Sequence, residues 1–449
     1  MWLYAISIAG FSISVVFFRA AGGRYEASTL SLGIGIGFLA GALFAGSTYS
    51  ATATISVPEA RVRSIEGIIV NDVFSDQRNS VVTLRPINIE TTGGGTVSAS
   101  SDGFVVLEIV TPVAGTLFSG AIVRIDAVDF VADASIRFSS SVPPLLHGYR
   151  SLPYRIRSRV YATVEKMRSR FGFESRALFG ALFLGKKDPS LDDLRYFVRR
   201  AGCIHLFALS GMHVGVLIVI LSVLFRPIFG RKGARYLSVP VIVCYVFLIG
   251  SPPALLRAGS MFVFATVLRG ASRRARQIDI ISAAVLISLF ADPYSIQSAS
   301  FALTFLAVLA IVSGSKTWSL LLKKYVPKLL ATPLSISLAA FFGTAWYVSI
   351  SFGETYPFGI ISSMILGPMV VLFLGATTIL LGFEYLIPHR GFSFDKLYQS
   401  TDLLAVAIRR FAVELSRLPP LRITPMVVLV ASIVLWCLVI NWDRRHVQL

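Results

Sequence analysis

Cysteine is scarce in this chain of 449 residues. Cys203, Cys244 and Cys437 each lie in or beside an apolar run, and residues 53–145 have none. That excludes a disulfide framework and a CxxC metal site. Of the five histidines (His147, His205, His213, His389 and His446), only His205 and His213 lie close in sequence. No Asp, Glu or Cys completes a metal set with them at ligand spacing, so no metal and no cofactor are expected. Charged residues are few, 15% of the chain, and acids are outnumbered by bases, 24 to 42. GxSxG is absent around Ser210 and no strand precedes it, which removes a nucleophile-elbow reading. Residues 180–187 spell GALFLGKK, a P-loop at every position but the last. That position is where Ser or Thr would bind magnesium, and the segment lies in an apolar helix rather than after a strand. We therefore expect no ATPase and no enzyme. Residues 2–18 form an apolar run with no basic residue before it and no small-residue cleavage site behind it, so it reads as a retained helix.

What is abundant is apolar sequence. Mean hydropathy is +0.72 and 55% of residues are hydrophobic. Many runs approach the roughly 20 residues needed to span a bilayer, so a polytopic α-helical membrane protein is expected. Two helices open the chain, residues 2–18 and 30–46. Arg19 and Arg24 in the loop between them place that loop in the cytoplasm. Further spans are read at 204–225, 237–249, 255–267, 278–290, 299–312 and 334–351. Every second connection is purely basic: Arg226/Arg231/Lys232/Arg235, Arg269/Arg273/Arg274/Arg276 and Lys316/Lys323/Lys324/Lys328. The opposite loops carry only Asp292 and Glu354. The basic set fixes the cytoplasmic side. Residues 356–387, interrupted by Gly359, Gly367 and Pro368, read as a half-helix entering from outside and a span returning outward; one long tilted helix instead would leave the tail outside, against its charge. Such breaks are tolerated where backbone lines a cavity. Residues 404–418 then form an outside amphipathic segment, and 424–440 a last span that leaves Arg444 and Arg445 in the cytoplasm.

Residues 53–147 differ in texture. Alternating β-rich segments at 65–73, 80–87, 104–110 and 122–130 are separated by turn signals such as Gly93-Gly94-Gly95 and Asp102-Gly103. About five short strands suit a small all-β barrel of the OB type, on the extracytoplasmic side. Residues 53–145 hold six Arg, no Lys and ten acids. A nonspecific single-strand binder needs a positive groove with stacking aromatics, so Phe74, Phe104, Phe118 and Phe130 read as core. Residues 148–175 follow as a basic amphipathic linker. Ile156, Val160, Val164, Met167 and Phe171 share one apolar face, and Arg155, Arg157, Arg159, Lys166, Arg168 and Arg170 supply the rest. Such a helix lies in the membrane interface or turns its outward Arg row toward phosphate at a pore entrance.

Residues 1–52 are thus a helix hairpin and 176–449 the polytopic core, and that core holds the most informative segment. Residues 181–217, ALFLGKKDPSLDDLRYFVRRAGCIHLFALSGMHVGVL, carry His205, Ser210, Gly211 and His213 where an anchor would carry leucine. On one helix, His205 and His213 would stand roughly 80° apart. Polar groups at membrane depth face the bundle interior or a water path. The segment resembles the signature of the ComEC-type competence family, roughly GL(S/T)HLLAISGLHVG. Ser251-Pro252-Pro253 with Arg257-Ala258, FALTF at 301–305, and Gly359 through Pro368 resemble further family elements. Ser363 stands where the family usually has Asn.

The resemblance implies an inner-membrane channel that admits single-stranded DNA during natural transformation, with an OB-like domain between an N-terminal hairpin and the core. His205, Ser210, Gly211, His213, Arg257 and Ser363 would lie on the DNA path. Competence-pilus and DNA-receptor proteins, a cytoplasmic motor or single-strand-binding protein, and the bilayer would be partners, with a homo-oligomer possible. Many members end in a metallo-β-lactamase-like domain with an HxHxDH motif. This sequence shows no such cluster, so degradation of the unused strand would fall to another protein. Interrupted helices suit a transporter of another anionic solute equally well, and a noncatalytic assembly platform is a third reading.

The orientation is testable by thiol labelling with the native cysteines replaced by serine. Ser251→Cys reacts with an impermeant maleimide added outside intact cells, whereas Arg231→Cys reacts only after permeabilisation. The reverse pattern would invert the topology.

Overall fold

Alternation of apolar and polar residues builds the first part of the computed structural model. The structure describes eight strands between residues 62 and 149, then residues 152–186, 188–270, 277–291, 293–386, 394–418, 426–432 and 434. The opening hairpin and most of the last expected span lie outside these residues. The strands are β1 Val62–Ile69, β2 Ser80–Thr91, β3 Thr96–Ser98, β4 Val105–Ile109, β5 Ala121–Asp126, β6 Val128–Val131, β7 Arg137–Ser140 and β8 Leu145–Tyr149. In β5 the buried residues alternate, Ala121, Val123 and Ile125, as period-2 geometry requires. They join Ile65, Val82, Leu84 and Ile89 in an apolar interior.

The sheet runs β6-β7-β4-β2-β1-β5-β8, with β3 beside β2. Its pairs are antiparallel except β4–β7. β5 pairs with β1 and β6 with β7, and one residue separates β5 from β6. Counted as one strand, they close the path into a ring of five. Gly67 sits at a register shift in β1, where a Cβ would stand 2.8 Å from the Arg85 carbonyl oxygen. The segments expected at 65–73, 80–87 and 104–110 overlap β1, β2 and β4, with residues 70–73 outside those described; the one read at 122–130 is divided into β5 and β6, and β3, β7 and β8 are additional. On the sheet, Arg124 pairs with Glu90 at 2.7 Å and Asp126 at 3.0 Å, and Ser64 Oγ donates to Glu90 at 2.8 Å. The Ser64 hydroxyl, then Arg124, hold the Glu90 carboxyl below its ordinary pKa.

The helices are α1 Leu152–Arg168, α2 Phe173–Leu184, α3 Asp192–Arg200, α4 Gly211–Leu248, α5 Pro253–Gly270, α6 Gln277–Ala291, α7 Ala299–Leu322, α8 Lys328–Phe352, α9 Gly359–Leu386 and α10 Asp395–Leu415. Among the described residues, four (α4, α7, α8 and α9) are long and apolar enough to cross a membrane, and α6 is a shorter apolar helix. Large apolar side chains point outward, including Ile228 at 73% and Phe290 at 89% exposure, as helices facing lipid require. α4 is two helices joined at Gly230, whose φ of 66° breaks the helical path. A straight α4 would set Gly211 and Val246 roughly 52 Å apart. Yet a Cβ on Gly211 would lie 3.6 Å from Ala258, and one on Gly259 would lie 3.3 Å from Val246. The two halves therefore fold back on each other, matching the two spans expected on either side of the Arg226–Arg235 basic loop. α7 packs closely on α8: a Cβ on Gly343 would fall 2.3 Å from the Ala310 Cβ.

Two expectations change. In place of a half-helix and a return, Gly359–Leu386 is one continuous helix, α9, which carries Pro368 within it. The proline costs one backbone hydrogen bond, and its neighbours Leu366 and Val370 are fully buried, so packing holds the helix through it. α1 also divides its basic residues: Arg155, Arg159 and Lys166 face outward, but two arginines of the expected row turn inward. Arg157 and Arg168 are 3% and 6% exposed, while Ile156 is 52% exposed. The buried stripe is Arg157, Tyr161 and Arg168, because these charges find partners. Arg157 Nε donates to the Leu248 carbonyl at 3.0 Å and its guanidinium lies 5.9 Å from the Phe247 ring. Arg168 donates to Glu165 and to the Arg176 carbonyl.

α10 closes this side of the bundle. Tyr398, Thr401, Ala405, Ile408 and Ala412 form its buried stripe, and it packs on α2 and α3. Glu384 of α9, 6% exposed, is held by Arg170 and by the Tyr398 hydroxyl; Arg409 pairs with Glu174. Glu384→Ala should lower stability by about 1–3 kcal/mol, discounted because Arg170 is 40% exposed. Thermal unfolding of the purified protein in detergent reads this as a fall in melting temperature. Lys166→Ala, on the exposed side of α1, should stay within about 0.5 kcal/mol of the parent.

Candidate functional site

The signature segment enters the bundle as a corner. α3 ends at Arg200, Gly202 turns the chain with φ 76°, and residues Ile204–Leu206 make one 3-10 turn before α4 begins at Gly211. His205 is exposed on that turn and His213 is buried in α4, so the two histidines do not share one helix. The span read from residue 204 starts seven residues later, because Ser210 is the helix cap. Its Oγ accepts from Met212 N at 3.3 Å, and its own N–H donates to His213 Nδ1 at 3.1 Å. This reciprocal arrangement satisfies orphan donors at a helix start. Since Nδ1 accepts, the neutral ring carries its proton on Nε2. That nitrogen is buried and has no hydrogen-bond partner among the described residues.

Ser363 reaches this corner from α9. Its Oγ lies 3.4 Å from Cys203 Sγ, which also approaches the Gly359 carbonyl at 3.8 Å. Burial pushes the Cys203 thiol up to about 11, so it stays protonated and able to donate. Gly202 and Gly359 meet backbone to backbone: a Cβ on Gly202 would stand 2.8 Å from the Gly359 Cα.

Arg257 approaches from the other side. It is on α5, beside the Ala258 that faces Gly211, and is 1% exposed. Its Nη2 donates to Ser300 Oγ at 2.7 Å, Thr304 Oγ1 at 2.9 Å and the Ser300 carbonyl at 3.0 Å. The Phe301 ring centroid lies 6.0 Å from the guanidinium carbon. Nε and Nη1 have no partner among the described residues. Snorkelling to the interface, the alternative role for an arginine near a helix end, does not fit 1% exposure. Most other helix hydroxyls turn back on their own backbone, as Ser238 does to Ala234 and Thr377 to Phe373.

The structure therefore brings Ser210, Gly211 and His213 beside the start of α5, and ties Ser363 to the corner before them. It leaves His205 exposed, and Arg155 and Arg159 on the open face of α1. Arg157 and Arg168 are engaged inside the bundle, and Arg170, 40% exposed, pairs with Glu384 at its edge. Sequence reasoning missed Asp402, which accepts from Ser175 N and Oγ at 3.0 and 2.9 Å, and missed Glu384. Asp402 stands next to Thr401 in an apolar stripe, a position that could have marked it. Lys186, the near-P-loop lysine, pairs with Glu165 at 3.1 Å after Gly185 ends α2 in a left-handed cap. That is helix termination, not a phosphate cradle.

Gly202→Ala should cost at least about 2 kcal/mol, from left-handed backbone strain and the clash with Gly359. Gly367→Ala meets nothing within 4 Å and should be neutral or slightly stabilising. Melting temperatures of the two variants in detergent check the contrast.

A family model described as competence protein matches residues 182–445, more than half of the chain. An uncharacterized protein of Aquifex aeolicus (strain VF5) is 31% identical over 211 residues, 46% of this chain and 48% of that protein. ComE operon protein 3 of Bacillus subtilis (strain 168) is 27% identical over 143 residues, 32% of this chain and 18% of that protein. The chain thus spans about half or less of the length of these relatives. No solved structure matches it. With the signature corner at its centre, the chain belongs to the competence protein family.

Proposed function

We propose that this chain is the inner-membrane conduit through which single-stranded DNA enters the cytoplasm during natural transformation, and that it acts without catalysing a reaction. The observation that carries the reading is the placement of unsatisfied polar groups. His213 Nε2 lies on the helix whose first residue, Gly211, faces α5; Arg257 Nε and Nη1 lie on α5 itself. A polyanion crosses low dielectric only with water and fixed positive groups beside it. Buried donors with no acceptor among the described residues are the groups that a passing strand or its water would engage. Family membership supports DNA as the cargo.

The β-ring of five strands, with its one parallel pair, suits an OB-type barrel. We place it outside the cytoplasm, upstream of the conduit. Its Arg124 is neutralised by Glu90 and Asp126, so its role is to position partners rather than to grip phosphate. Candidate partners are competence-pilus and DNA-receptor proteins outside, and a motor or single-strand-binding protein inside to supply the pull.

Uptake of labelled DNA in a strain carrying His213→Ala, scored beside growth on candidate anionic solutes, tests the reading. Transformation should fall toward the level of a deletion strain at unchanged protein abundance and growth. Normal uptake with a lost solute phenotype would replace the conduit by a solute transporter. Normal uptake here together with lost uptake on deletion of residues 53–147 would favour an assembly platform.

A further inference from the structure

The sequence sets Ile156, Val160, Val164, Met167 and Phe171 on one apolar face, and the structure splits it. Val164, Met167 and Phe171 pack into the bundle core. Ile156 and Val160 stay 52% and 43% exposed, and Leu152, one turn earlier, is 64% exposed. At 100° per residue these three lie within roughly 80° of one another. Arg155 and Arg159, both exposed, stand on the adjoining flank, roughly 60° and 20° to the other side of Leu152. Glu165 is the only acid of α1, and Arg168 and Lys186 hold it. An apolar flank beside a cationic one is the pattern of a helix that lies in a membrane interface, where acyl chains meet one side and headgroup phosphates the other.

The inward side of α1 fixes its depth. Arg157 Nε donates to the carbonyl of Leu248, the last residue of α4, and the Tyr154 ring lies 5.7 Å from that of Phe247. That carbonyl is one of the four that a helix end leaves without an intrahelical partner, and a guanidinium there also meets the negative end of the helix dipole. α4 is long and apolar enough to cross a membrane, and its last apolar residues give way to the exposed Gly250-Ser251 turn. Val243, in the same half of α4, is 53% exposed, so lipid-facing surface reaches this end of the bundle. α1 is therefore fastened where hydrocarbon gives way to headgroups.

We propose that α1 is an interfacial anchor that binds anionic phospholipid. Leu152, Ile156 and Val160 enter the headgroup–acyl boundary by roughly 5–10 Å, and Arg155 and Arg159 take the headgroup phosphates. Each cation near an anionic leaflet adds attraction, so lipids of net negative charge are held in preference to zwitterionic ones. The Tyr149 hydroxyl and Ser158 Oγ lie 2.6 Å apart and tie β8 to α1, so the lipid-bound helix keeps the sheet close to the bilayer. The anchor requires only a membrane-embedded bundle and does not rest on the conduit reading.

The test uses the full chain with its native cysteines replaced by serine and one new cysteine carrying a nitroxide. The protein is reconstituted in nanodiscs of phosphatidylcholine and phosphatidylglycerol. Electron paramagnetic resonance compares collisions with oxygen, which concentrates among acyl chains, and with a water-soluble nickel chelate. Labels on Ile156→Cys and Val160→Cys should collide several-fold more with oxygen than with the chelate, and the ratio should reverse for Arg155→Cys. In detergent, phosphatidylglycerol should raise the melting temperature by roughly 2–4 °C over the same mole fraction of phosphatidylcholine. Arg155→Gln/Arg159→Gln should lose most of that difference. If the double variant does not fold, the labels and the wild-type lipid comparison decide.

Labels on Ile156→Cys and Val160→Cys that collide chiefly with the chelate would place the face in water and overturn the anchor. Labels shielded from both reagents would mean that protein, such as the hairpin expected at residues 1–52, covers the face, which also overturns it. Equal melting shifts with the two lipids would remove the anionic preference. A double variant that loses oligo(dT) binding while keeping the lipid shift would assign the arginines to nucleic acid instead.

Discussion

A polar group taken into a helix bundle must be satisfied there, and this constraint organises the molecule. Backbone groups meet it by being helical. Serine and threonine meet it by bonding to their own helix, as Ser282 does to Ile278 and Ser288 to Ala284. Arg157 meets it with a carbonyl and an aromatic face. Against that background, the few groups that do not meet it stand out as functional candidates. Arg257 and His213 lie on α5 and α4, the helices that meet at Gly211 and Ala258.

The signature corner and the charged clasp on α1, α2, α9 and α10 divide the labour. The corner needs glycine at Gly202 and Gly359 so that two backbones can touch, which fixes where α9 begins relative to α4. The clasp, Glu384 with Arg170 and Tyr398 and Arg409 with Glu174, ties the C-terminal part of α9 and α10 to the helices that follow the sheet. A helix that is pinned at both ends tolerates Pro368 between them. The sheet contributes neutralised surface charge, as where Arg124 pairs with Glu90 and Asp126.

Much of this was legible in the sequence. Period-2 alternation located the strands, and the basic loops located the hairpin that closes at Gly230. The motif residues Ser210 and His213 cap α4 and Ser363 meets Cys203 at the corner, whereas Arg257 bonds to Ser300 and Thr304 of α7. What was not legible depends on partners distant in sequence. Nothing local tells that Arg157 faces inward, because its acceptor is the carbonyl of Leu248. The helix reading of residues 204–210 failed because a Ser–x–x–His cap looks like helix interior until the cap bonds form. Gly367-Pro368 signalled a break that buried neighbours suppress. Glu384 and Asp402 went unread, since their partners Arg170 and Ser175 are 214 and 227 residues away in sequence.

The central claim is that a wet path runs past the start of α4, wide enough for a nucleotide strand. Its most direct measurement is the reaction rate of Ser210→Cys with a small, charged, membrane-impermeant thiol reagent, in protein otherwise free of cysteine and reconstituted in liposomes. The account predicts reaction from the aqueous phase and protection by single-stranded oligonucleotide. A cysteine at this position that stays unreactive with and without DNA, in protein shown to be folded, would mean that the bundle is sealed there and the polar groups serve only to hold helices together.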